Sequence, residues 1–294
     1  MQQLTLTHGK WLVELMPQIG GSISRCAYDG QDMLRPAVPV AEGFAEARDM
    51  SSFPLVPFSN RIEHGRFEFN GESVHLPRNM GDHPHALHGQ GWRRVWAVES
   101  EAPGQAVLAY DHEADTWPWR YVARQFFELS DDAMTLRLAV INMSDRPMPV
   151  GLGLHPYFLK TEGVSLTTGV THQWESTNEQ IPTQLVPLPQ ELDFSRGLKI
   201  EGLDLDHCFT GWSRVATIDW PGRPYRLLME GSPTLEYLVV YTPPGRDFFC
   251  VEGVDNMINA FNWMSRGIRT GVTILLPGQT HEIVTVFRAQ ALAS

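Results

Sequence analysis

Gly65-Arg66-Phe67-Glu68-Phe69-Asn70-Gly71-Glu72-Ser73-Val74-His75-Leu76 is the stretch that sets the fold class. Apolar and polar residues alternate on both sides of Asn70-Gly71, a dipeptide that accepts positive φ at the two central positions of a type I′ turn. The stretch therefore predicts a β-hairpin. Outward from it the same period of two recurs. Leu4 to Thr7 returns through His8-Gly9-Lys10 into Trp11 to Leu15, and Val215 to Trp220 returns through Pro221-Gly222 into Tyr225 to Met229. Met134 to Ile141, Thr234 to Tyr241, Phe248 to Glu252, Gly271 to Leu276 and Ile283 to Arg288 read as further strands, and few segments carry the 3.6-residue period of a helix. The 21 prolines and 25 glycines supply the turns that many short strands need. The reading is an all-β chain built as a large antiparallel β-sandwich.

Strand-sized runs continue from residue 4 to residue 288 with no long polar linker or charge block, so residues 1–294 are read as one domain. The stretch from Thr171 to Gly202 carries Pro182, Pro187 and Pro189 and is read as an irregular excursion. A net charge of -11 argues against a nucleic-acid partner, because affinity for a phosphate backbone comes from clustered Lys and Arg. It does not decide between a monomer and a homodimer. Three well-separated cysteines, Cys26, Cys208 and Cys250, suggest neither a disulfide framework nor a paired metal knuckle, and point to a reducing cytoplasm. Met1 to Lys10 lacks the features of a secretory signal, and no stretch approaches the roughly 18 to 20 apolar residues of a membrane span. A soluble protein with no membrane partner is expected.

Several histidines and one carboxylate carry the candidate chemistry. In Asp82-His83-Pro84-His85-Ala86-Leu87-His88-Gly89, an extended backbone turns His83 and His85 to the same side, where they could ligate a metal, act on a ligand or simply pack. No third ligand with supporting contacts stands out in the sequence. In Gly151-Leu152-Gly153-Leu154-His155-Pro156-Tyr157-Phe158, the proline holds its predecessor extended and places His155 at a strand end facing either a cleft or the interior. Phe248-Phe249-Cys250-Val251-Glu252-Gly253 puts a carboxylate at the end of an apolar run, where burial costs several kcal/mol unless the charge is paired. Glu252 is thus a partnered structural group or a working base.

Taken in order, Asn60-Arg61-Ile62, Gly65-Arg66-Phe67 with its Asn70-Gly71 turn, His88-Gly89, His155-Pro156-Tyr157-Phe158, Asp206-His207-Cys208-Phe209, and Glu252 followed by Asn259-Ala260-Phe261-Asn262 are similar to the signature segments of the aldose 1-epimerases, or galactose mutarotases. The resemblance spans nearly the whole chain. It implies the family's galactose mutarotase-like supersandwich and anomer interconversion on a small-molecule sugar, without cofactor or metal. It further implies Glu252 as base at O1 of the sugar and His155 as acid at the ring oxygen. His88 and Arg61 would hydrogen-bond the ring oxygen and its neighbours, with Asn60 beside them and Asp206 accepting from remote hydroxyls. For the acid role, His155 should have a carboxylate close by, plausibly Glu252 itself, that keeps it protonated. Trp92, Trp96, Tyr157 and Phe158 are candidates for an aromatic sugar face. Two departures mark a divergent bacterial member: Gly253 stands where the family often has proline, and Gln90 where it often has a second glycine.

Three other readings compete. A non-catalytic carbohydrate-binding protein could keep Arg61 and Asp206 without an acid–base pair. A hexose-6-phosphate mutarotase would need basic residues at the cleft rim, for which Arg78, Arg93 and Arg94 are available. A metal-dependent isomerase or oxygenase would use His83, His85 and a distant ligand.

Overall fold

A computed structural model describes residues 3–38 and 46–292 of the chain. One sheet runs in the order Leu4–His8, Trp11–Met16, Ser22–Tyr28, Ser52–Leu55, Gly153–Leu159, Phe248–Val254, Tyr237–Tyr241, Asp206–Thr210, His172–Ser176 and Pro182–Pro187, with Gln31–Asp32 paired off Ser22–Tyr28. The second runs Ala97–Ala102, Gln105–His112, Tyr121–Leu129, Ala133–Asn142, Thr280–Ala291, Tyr225–Gly231, Val215–Asp219, Ser165–Thr168 and Leu198–Lys199. Neighbouring strands in both sheets are antiparallel. Phe158 of the first sheet meets Phe287 of the second, and Tyr225 of the second donates its hydroxyl to the carbonyl of Tyr28 in the first. The fold is the predicted all-β antiparallel sandwich.

Burial explains why the two sheets differ. Along Tyr121–Leu129 every second residue is buried while the others reach solvent, the pattern of a strand covered on one face. Ser52–Leu55, Gly153–Leu159 and Phe248–Val254 are buried almost throughout. One of their faces lies on the sandwich core, and the other is covered by connecting loops. Polar residues on that second face are therefore shielded from bulk water without lying in the core.

The quoted hairpin forms as read. Asn70 and Gly71 have φ of 50° and 81°, Phe69 pairs with Glu72 and Arg66 with His75, and Phe67, Phe69 and Val74 are buried. Two expectations need correction. The strand expected from Thr234 begins only at Tyr237, because Leu235 is taken up in a turn closed on the Ser232 carbonyl. The stretch from Thr171 to Gly202 is not simply irregular: His172–Ser176 and Pro182–Pro187 form a hairpin at the edge of the first sheet, and Leu198–Lys199 edges the second. An edge strand tolerates proline, and Pro182–Pro187 is exposed over most of its length, so it carries no alternating apolar signal.

Candidate active site

Strand register brings the predicted residues together. His155 pairs with Phe53 on one side. On the other, the pairs Gly153–Val254 and Tyr157–Cys250 set His155 across from Glu252. One row along, Tyr157, Cys250, Tyr241 and Asp206 follow one another as cross-strand partners. Rows two residues apart share a face of the sheet, so Glu252, His155, Tyr157 and Asp206 all point away from the sandwich core. Phe158 and Phe249 pack against each other on the opposite face.

A loop layer covers this face. Arg61 and Ile62 pair with Leu87 and Ala86, and Val56 bridges to Gly89. Asn60 and His88 both adopt positive φ, 60° and 58°, and lock to each other: the Asn60 N–H donates to His88 Nδ1 at 3.2 Å, and the His88 N–H donates to the Asn60 carbonyl at 2.9 Å. With Nδ1 accepting, neutral His88 carries its proton on Nε2. Gly89 is required here, because a β-carbon would lie 2.1 Å from the Val56 carbonyl oxygen.

Between sheet and loops lies a cleft of about 440 Å³, lined by Asn60, Arg61, His88, His155, Asp206 and Glu252 together with Phe53, Trp92, Tyr157, Tyr241 and Phe248. Met80, Leu87, Glu46, Arg48, Asp49 and Arg246 also line it. All six residues selected from the sequence thus meet in one cavity. Of the four aromatic candidates, Trp92 and Tyr157 line the cleft, whereas Trp96 and Phe158 do not. Phe53, Tyr241 and Phe248 escape sequence reading because each sits in an apolar strand run where packing accounts for it equally well.

His155 Nε2 stands 3.5 Å from Glu252 Oε1, and Glu252 is 2% exposed. The rings of Phe53 and Tyr157 both pack against His155, with centroids at 4.7 and 4.8 Å from it and 6.1 Å from each other. Glu252 Oε2, His155 Nδ1 and Arg61 Nε are buried without a hydrogen-bond partner among the described residues. Such atoms ordinarily cost about 1–3 kcal/mol each, and all three belong to residues that line the one cleft. Arg61 donates to Asp206 Oδ2 at 2.8 Å and to Asn60 Oδ1 at 2.9 Å, which fixes its guanidinium in the wall.

Burial dominates the electrostatics. It raises the Glu252 carboxyl well above its ordinary value, with the Asp206 charge adding and Arg61 opposing. It is the main cause that lowers His155 to about 3, opposed by a backbone hydrogen bond and assisted by the Arg35 and Arg61 charges. His88 is likewise held well below its ordinary value by burial and then by His155. The carboxylate expected beside His155 is present, but it does not hold the imidazole's value up: desolvation dominates the shift. Burial thus favours the uncharged form of each partner, the carboxylic acid of Glu252 and the neutral imidazole of His155.

The other candidate groups lie elsewhere. His83 and His85 contact each other at 5.3 Å between ring centroids, but His85 Nδ1 accepts the His64 N–H, and no group of three metal-ligating side chains is assembled among the described residues. Arg93 and Arg94 line a separate recess with Asp115, and Arg78 lines an open groove beside Arg66 and Arg266. No helix among the described residues is long and apolar enough to cross a membrane.

A family model described as aldose 1-epimerase matches residues 2–288. The chain is 31% identical over 256 residues to the uncharacterized protein YphB of Escherichia coli K12, covering 84% of this chain and 86% of that protein. Among solved structures it resembles a candidate aldose 1-epimerase of Escherichia coli K12, with a TM-score of 0.90, 28% identity and 99% of both chains covered. A galactose mutarotase-like protein of Clostridium acetobutylicum shares the fold, with a TM-score of 0.86, 19% identity and coverage of 99% and 95%.

Proposed function

The chain belongs to the aldose 1-epimerase family, and from that premise we propose that it interconverts the α and β anomers of a free aldose by acid–base opening of the ring. The observation that carries the reading is the buried Glu252–His155 pair, 3.5 Å apart and lining a sugar-sized cleft with Arg61, His88 and Asp206.

Mutarotation requires one base and one acid. On sugar binding, the proton that burial favours on Glu252 passes to His155 as a Glu252 oxygen accepts a hydrogen bond from the anomeric hydroxyl. Glu252 then takes the O1 proton while His155 protonates the ring oxygen, the C1–O5 bond breaks, and C1=O1 forms. The C1–C2 bond turns, and the two transfers run in reverse onto the other face. After ring opening the pair is again uncharged, the state that burial favours, so the site is matched to the open-chain stage rather than to the ring form. Each positioned transfer contributes about 10² to 10⁴-fold. The Nε2–H of His88 stabilises negative charge on oxygen as the ring opens, Arg61 binds ring hydroxyls alike in the ring and open forms, and Asp206 accepts from hydroxyls remote from C1. Three buried free cysteines suit a reducing compartment.

The test is polarimetry on freshly dissolved α-D-glucose and α-D-galactose. Purified protein should speed the approach to anomeric equilibrium, and a rate equal to the spontaneous one across a panel of aldoses would remove the catalytic claim. A sugar-phosphate substrate would draw on Arg48 and Arg246, the basic residues besides Arg61 that line the cleft. Competition between glucose 6-phosphate and glucose separates that alternative.

A further inference from the structure

Three asparagines at three-residue steps, Asn256, Asn259 and Asn262, follow Glu252 and meet the segment Ser59–Arg66 one after another. Asn256 is 1% exposed, and its amide pairs both ways with Ser59: Oδ1 accepts the Ser59 N–H at 3.2 Å, and Nδ2 donates to the Ser59 carbonyl at 3.2 Å. The Asn259 N–H donates to the Arg61 carbonyl at 2.9 Å, its Oδ1 accepts the Glu63 N–H at 3.0 Å, and its Nδ2 donates to Glu63 Oε2 at 3.3 Å. Asn262 Nδ2 donates to the Arg66 carbonyl at 2.9 Å and to Asn259 Oδ1 at 2.8 Å. These side chains supplement the sparse sheet pairing of residues 59–65, where Arg61–Ile62 pairs only with the two-residue strand Ala86–Leu87.

Residue chemistry fits the task. Pairing with both the N–H and the carbonyl of Ser59 needs a donor and an acceptor on one short side chain, which an amide has and a carboxylate lacks. Asn259 stands at φ 55°, a left-handed position that asparagine and glycine accept more readily than other residues. The ladder is itself anchored. Asp255 Oδ1 accepts the Leu152 N–H at 2.6 Å and Oδ2 lies 2.6 Å from His281 Nε2, tying the chain after Glu252 to the approach of His155 and to the second sheet.

We propose that Asn256, Asn259 and Asn262 are positioning residues that hold Asn60 and Arg61 in their sugar-facing geometry. This rests on Arg61 being a sugar contact. Glu252 and His155 are held by the sheet, so loosening the ladder weakens sugar binding and spares proton transfer.

The decisive variant is Asn259→Gly, which keeps the left-handed backbone and deletes the amide. It should raise KM for galactose or glucose about 5- to 30-fold, the scale of one or two lost hydrogen bonds, with kcat within about threefold of wild type. Hydrogen exchange of amides in residues 59–66 should quicken in parallel. In an Arg61→Lys background the same change should add little to KM, because it acts through the guanidinium. Leu136→Ala, in the core of the second sheet, controls for stability alone and should lower Tm while leaving KM in place. A fall in kcat at constant KM, full additivity with Arg61→Lys, unchanged exchange, or an equal rise of KM in Leu136→Ala would each overturn the proposal. A wild-type protein inactive on every aldose contradicts the function proposed above, while the exchange measurement still decides whether the ladder holds its segment.

Discussion

Glu252 and His155 each have an ordinary titration value that burial displaces, and each displacement makes stability depend on pH. Because folding raises the Glu252 value, the folded state keeps a proton that the unfolded chain has already released. Stability is therefore lost as pH rises above the ordinary carboxylate value of 4.5. Glu252→Gln removes this dependence, so its Tm should exceed that of wild type at about pH 8 and approach it at about pH 4 in calorimetry. A constant gap across that range would contradict the raised Glu252 value. For His155 the sign is opposite: with a folded value of about 3 against 6.5, the unfolded chain binds the extra proton, and stability falls as pH drops below 6.5. It follows that kcat/KM of the free enzyme should show no limb near 6.5 assignable to His155, and an NMR titration of the His155 imidazole with a midpoint near 6.5 would refute the shift. At this scale what was legible is the grouping: all six residues selected from the sequence line one cleft, and their roles there are proposals. Charge state was not, because it depends on burial, and burial is a property of the loops that close over the sheet.

Among the elements, hairpins were legible and long-range pairings were not. Asn70-Gly71 carries its own turn chemistry, whereas the pairing of Gly153–Leu159 with both Ser52–Leu55 and Phe248–Val254 joins segments about a hundred residues apart. No local period encodes such a partner. The edge hairpin His172–Ser176/Pro182–Pro187 was missed because its exposed strand has no buried face to alternate with. Glycine-rich motifs around the site take on meaning only once the elements are assembled. A β-carbon on Gly151 would sit 2.0 Å from Asn256 Oδ1, so Gly151→Ala should push the ladder aside and cost about 1–3 kcal/mol in denaturant unfolding. Unchanged stability in that variant would show that the Gly151–Asn256 approach is slack.

For the whole molecule, the chain order is interleaved. The last strand, Thr280–Ala291, lies near the middle of the second sheet between Ala133–Asn142 and Tyr225–Gly231, and the first sheet combines strands from residue 4 to residue 254. No contiguous part of the chain completes either sheet, so we propose one folding unit and expect fluorescence and circular dichroism to report a single coincident transition in denaturant. Two separated transitions would contradict it. The same interleaving makes the site, since Arg61, His155, Asp206 and Glu252 come from four distant stretches and meet only when the first sheet is complete. Exchange between the α and β anomers of galactose at equilibrium, followed by magnetisation-transfer NMR, tests that convergence most directly. Glu252→Gln keeps the shape of the side chain and removes its basicity, and should slow the enzyme-dependent exchange by at least about 10²-fold while still binding sugar. Exchange retained at most of the wild-type rate would contradict Glu252 as the base, and with it the mechanism built on the Glu252–His155 pair.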